Sequence, residues 1–173
     1  MIRYEVITSI DDTVFERLYN ECKVDMDAGS YPWHVFPWIS TDEEKIAHLK
    51  ASFLSTAEST GGLLFRVVED GRDLMINAGT LTNASLFWFL GLIGNDANGS
   101  KSYLYRSDYI QARDAFWVAQ GISSWRVETM GAGTAMYDHL INAINANTIA
   151  EGVAQEEKDL GPMLAARDVI FTV

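Results

Sequence analysis

Arg106, Ser107 and Asp108 stand in a row where a tyrosine-rich stretch, Tyr103-Leu104-Tyr105, runs into helix-like spacing from Tyr109-Ile110-Gln111 onward. A strand-to-helix junction of this kind can hold a phosphate-bearing molecule. The unbonded backbone N–H groups and the positive end of the helix dipole both face the anion. Such turns usually carry glycine, so that backbone can come close to phosphate. This one has none, and Asp108 puts a carboxylate at the helix start. Its position favours an anion and its chemistry opposes one.

A second segment able to do chemistry is Tyr31-Pro32-Trp33-His34-Val35-Phe36-Pro37-Trp38-Ile39. Its rings offer large contact area and faces for a cationic amine. Two of the chain's three prolines lie here, which excludes a long helix or a central strand. The plainer reading is a hydrophobic lid over a sheet, or a contact between subunits of a homo-oligomer. His34, His48 and His139 show no metal-ligand spacing, so no metal is expected. There is no Gly-x-Ser-x-Gly, Walker loop or dinucleotide fingerprint. Cys22 is the single cysteine and sits among apolar helix positions, as a buried structural thiol would.

These groups need a scaffold, and composition says what kind. The chain has 173 residues and is 48% hydrophobic, enough for one domain over 1–173 with a real core. Its formal net charge of −11 argues against nucleic acid and against anionic membrane surfaces as partners. No apolar run reaches the roughly 18 residues of a membrane span. The first residues, Met1-Ile2-Arg3-Tyr4-Glu5, lack the basic and apolar regions of a signal peptide, and a reducing, cytoplasmic setting is expected.

The element pattern is α/β, more narrowly α+β. Residues 3–8 read as a strand, and Thr13-x-x-Glu16 as a capping box opening a helix. Thr41-x-x-Glu44 opens a second helix, which ends at Gly61-Gly62. Residues 63–69 and 73–81 flank Asp70-Gly71, a hairpin signal. Residues 86–94 form an apolar strand covered on both faces, and residues 102–106 another short strand. Ser107 is placed to cap a third helix. Residues 125–129 alternate as a strand, Gly131-Ala132-Gly133 precedes a fourth helix, and residues 149–156 and 169–173 close the chain as strands.

This order resembles the GNAT superfamily of acyl-CoA-dependent N-acyltransferases. It also resembles the compact GNAT-like proteins of some bacteriophages, in which a short aromatic strand enters the central helix through a Ser-Asp step comparable to Ser107-Asp108. The resemblance implies a mixed, mostly antiparallel sheet of about seven strands flanked by four helices. In that fold two parallel strands splay to admit the pantetheine arm of the donor, and the pyrophosphate rests on a turn patterned Gln/Arg-x-x-Gly-x-Gly/Ala. Laid on this chain, the pattern keeps Arg106 and meets Tyr109 and Gln111 at its small positions. A second placement uses residues 86–94 as the donor strand, with Gly94, Gly99, Ser100 and Lys101 as the anion loop. Lys101 is otherwise expected to be a solvated loop lysine.

The resemblance further implies acetyl transfer from acetyl-CoA to a small amine. Leu104, Tyr105 and Arg106 would contact the donor, and Tyr137 would protonate the leaving thiolate. His34 or Glu128 would assist deprotonation of the acceptor, and Trp33, Phe36 and Trp38 would line its site. The competing expectation is a non-catalytic structural or virion-associated interaction protein that retains the fold.

Overall fold

The computed structural model describes the backbone of residues 1–27, 39–130, 154–159 and 165–172, with side chains over 1–24, 39–87 and 91–123. The chain opens with β1 (Ile2–Val6), α1 (Asp12–Asp27) and α2 (Asp42–Glu58). Then follow β2 (Gly62–Glu69), β3 (Arg72–Thr82) and β4 (Ser85–Ile93). A 3₁₀ turn (Ser102–Tyr105) leads into α3 (Ser107–Ala119), and β5 (Ser124–Met130), β6 (Ala154–Asp159) and β7 (Ala165–Thr172) complete the described elements. The sheet order is β1-β2-β3-β4-β5-β7-β6. All neighbours are antiparallel except β4 and β5, which are parallel. The mixed α+β class read from the sequence is observed. The fourth helix expected after Gly133 lies outside the described residues.

Local chemistry sets the turns. Asp70 and Gly71 both take positive φ (49° and 85°), the handedness that a two-residue hairpin needs. Asn83 and Ala84 do the same between β3 and β4, at φ 50° and 62°. That turn is hidden in the sequence because alanine gives no turn signal. Gly61 stands at φ 74°, where a Cβ would lie 2.2 Å from the Leu81 carbonyl oxygen. The Thr41–Glu44 capping box of α2 forms as expected.

Alternation divides the sheet into two faces. Phe15, Leu18 and Cys22 of α1 and Leu49 and Phe53 of α2 are fully buried, and Phe15 meets Phe53 edge-on at 5.4 Å. Tyr109 of α3 donates to the sulfur of Met75 on the opposite face. On that face Tyr4 packs against Phe116 at 5.4 Å and Phe65 against Trp117 at 5.3 Å. Burial raises the phenol pKa of Tyr4, with Tyr109 adding to it, and burial likewise raises that of Tyr109. Among the described residues no helix is long and apolar enough to cross a membrane.

Several expectations are corrected. Residues 102–106 are not a strand: Leu104 N–H donates to Lys101 and Arg106 N–H to Tyr103 within a 3₁₀ turn. The reason is Tyr103, whose buried hydroxyl donates toward the carbonyls of Gly94 (3.0 Å) and Leu74 (3.3 Å) and draws the segment under the sheet end. Asp11, not Thr13, caps α1, its carboxylate accepting from Val14 N–H at 2.9 Å. Ser107 is the first helical residue of α3, not its cap. The closing strands are shifted because β6 is an edge strand rich in charge (Glu156, Glu157, Lys158), which obscures the apolar pattern.

Candidate functional site

The parallel pair β4–β5 is joined through α3, so the start of α3 lies at the carboxyl end of β4, where open α/β sheets hold ligands. The two strands pair only from Ser85 with Ser124 to Trp88 with Val127. Both continue, β4 to Ile93 and β5 to Met130. They therefore part into a wedge whose apex is the Trp88–Val127 rung. On the β3 side the register steps from Ala78–Leu90 to Gly79–Trp88. Phe89 is thus an extra residue in β4, and a bulge of this kind bends the strand away from its neighbour. The wedge follows from that bend.

Two backbone features at the open end could meet an anion, and carboxylates of the chain occupy both. At the start of α3, Asp108 accepts from Arg106 Nε at 2.9 Å and from Nη2 at 2.5 Å, and also from the Tyr109 N–H at 3.1 Å. Arg106 Nη2 is shared with Glu69 at 2.7 Å. The guanidinium holds Asp108 below the usual carboxylate range, and Asp108, then Glu69, raise the pKa of Arg106. In the loop after β4, Asp96 accepts from the N–H groups of Asn98 and Ser100, each at 2.9 Å. Glu21 accepts from Asn95 N–H at 2.7 Å, and from Arg17 and Arg72 as well.

The candidate residues separate accordingly. Arg106 stands at the junction but is committed to two carboxylates. Leu104 packs against the core and Tyr105 is exposed. The Leu104 and Arg106 amides, expected to orient a donor, already donate within the turn. Tyr109, expected to obstruct phosphate with its ring, turns that ring into the core beside Tyr103 (5.6 Å). The group at the helix start is the carboxylate of Asp108. In the second placement, a Cβ on Gly94 would stand 2.4 Å from Leu18 Cδ2 and 2.5 Å from Glu21 Oε2, so this glycine admits α1 and not an anion. Lys101, expected to be solvated, donates to Asn95 Oδ1 and to the Glu21 carbonyl.

Glu128 lies in β5 opposite Asp168 of β7 in the backbone register. Trp33, His34, Phe36, Trp38 and Tyr137 lie outside the described residues. Among the described residues no group of three His, Cys, Asp or Glu side chains could hold a metal. An open groove of about 560 Å³ along α1 has Arg17 and Glu21 in its wall, and these bond each other.

Sequence reasoning missed Glu69, Glu21 and Asn77. Asn77 is fully buried in mid-β3 with no hydrogen-bond partner for its Oδ1 among the described residues. The Asp96-x-Asn98-Gly99-Ser100 spacing did carry a readable signal, an aspartate bonding the backbone two residues on.

Neither a protein-family profile nor a curated protein matches the sequence. Solved structures do match it. The ribosomal-protein-S18-alanine N-acetyltransferase from Escherichia coli aligns over 98% of this chain and 91% of its own, at TM-score 0.57 and 13% identity. A structure described as a GNAT-family acetyltransferase from Desulfovibrio desulfuricans aligns over 100% and 98%, at TM-score 0.58 and 13% identity. The chain has the GNAT fold. The PaiA N-acetyltransferase from Thermoplasma acidophilum, solved in complex with coenzyme A, aligns over 98% and 99% at TM-score 0.57 and 10% identity. At these identities the likeness concerns architecture. The parallel strands that part in this chain are β4 and β5.

Proposed function

We propose that this GNAT-fold protein is N-acyltransferase-like, taking the thioester arm of an acetyl-CoA-type donor in the β4–β5 wedge and passing the acyl group to a small amine. The wedge carries the reading. Beyond Trp88 the β4 backbone has no β5 partner in the register, so its N–H and C=O groups can pair with the amides of an extended arm. The acceptor nitrogen would bond to the acyl carbon as the carbon–sulfur bond breaks. Its proton would pass to His34 or Glu128, and Tyr137 would protonate the thiolate. Trp33, Phe36 and Trp38 would line the acceptor side.

The arm and the nucleotide end of such a donor fit unequally. The wedge suits the arm. The diphosphate would meet Asp108, Glu69 and Asp96, which already hold the cation and the amides it needs. That mismatch favours a second reading, a non-catalytic structural or virion-associated module that keeps the fold.

A thermal-shift titration with acetyl-CoA separates the two. A ligand at a hundredfold its Kd stabilises by about 2.7 kcal/mol, so a clear rise in Tm is expected. An unchanged Tm at millimolar acetyl-CoA would remove the acyltransferase reading. Given binding, Tyr137→Phe is expected to lower turnover and leave the melt intact.

A further inference from the structure

We infer that the side-chain oxygen of Asn77 binds an amide N–H of a pantetheine-type thioester arm, close to the apex of the wedge. The inference rests on the acyl-donor reading above. Asn77 is wholly buried, and a buried carbonyl oxygen without a partner is uncommon because its desolvation is not repaid.

Its surroundings point the same way. Across the ladder Asn77 pairs with Gly91 of β4, and two residues along β3 stands Gly79. Side chains at 75, 77 and 79 share one face, and the Tyr109–Met75 contact identifies it as the face of α3. Phe65 of β2 is the other cross-strand neighbour of Asn77, and neither glycine brings a side chain against the amide. Its Nδ2 donates to the Met75 sulfur at 3.8 Å, and Oδ1 is the atom left without a partner. Two residues along β3 lies the row Gly79–Trp88–Val127, where β4 and β5 part.

The face also selects the ligand. The start of α3, where a GNAT donor would approach, lies on Asn77's side of the sheet. A pantetheine arm carries two amide N–H donors and no charge. It could satisfy Oδ1 without a counter-ion.

The test titrates wild type and Asn77→Leu with acetyl-CoA, following Tm. Leucine removes the orphan oxygen and keeps the branching with a larger volume, so the ligand-free protein is expected to keep a cooperative melt unless the site overpacks. Its acetyl-CoA affinity is expected to fall about tenfold, the worth of one buried hydrogen bond. Asn77→Ala, which cannot overpack the gap, repeats the measurement if the leucine variant loses its cooperative melt. Equal shifts in wild type and variants would overturn the inference and leave the donor reading standing. No shift in wild type would overturn the donor reading and this inference with it.

Discussion

Arg106 grips Asp108 through both carboxylate oxygens, at 2.9 and 2.5 Å, directly at the start of α3. The cation of the junction thus faces an internal anion. An exposed pair of this kind adds little stability, so its main consequence is for binding.

Acetyl-CoA and S-acetylpantetheine, which lacks the nucleotide diphosphate, are therefore expected to bind wild type with similar affinity. Asp108→Asn keeps the shape and removes the charge. It should tighten acetyl-CoA by roughly tenfold, the scale of one screened charge contact, and leave S-acetylpantetheine unchanged. Calorimetric titration of both ligands against both proteins reads this directly. Equal changes for the two ligands would count against the account of the junction.

A small part of the acid-side loss of stability should run through the same group. Asp108 is depressed below its ordinary value of 3.8 in the folded chain, chiefly by Arg106. Its contribution is present above that value and is lost as pH falls through the lower folded one. Asp42 behaves likewise through its bond to Lys23. Chemical denaturation between pH 5 and pH 2 should show the loss, and Asp108→Asn should flatten part of it.

Gly94→Ala tests the packing of α1 on the end of β4. The added methyl would press on Leu18 and on the Glu21 carboxylate that holds Asn95. A cost of about 1–3 kcal/mol is expected, read as a lower urea midpoint. An unchanged midpoint would mean that α1 yields easily.

Thr41→Ala removes the side chain that accepts from Glu44 N–H at the start of α2. It should cost about 0.5–2 kcal/mol and leave donor binding as it was. A change in acetyl-CoA affinity would instead couple α2 to the cleft.

The sequence by itself determined what is local. The Asp70-Gly71 turn, the Thr41–Glu44 box, the apolar strand at 86–94 and the order of elements are written in residues close along the chain, where spacing reports backbone geometry directly. Only the tertiary structure decided what depends on distant partners. Tyr103 reads as a strand residue until Leu74 and Gly94 offer their carbonyls and fold the segment into a 3₁₀ turn. Arg106 reads as an anion ligand until Glu69, far back in β2, approaches from across the sheet. Asn77 looks unremarkable in sequence, because neither its burial nor the Gly91 beside it exists until β3 and β4 pair. The junction at Arg106-Ser107-Asp108 is legible in the sequence; that its charges are already satisfied follows in part from a long-range contact, Arg106 with Glu69, which no local spacing encodes.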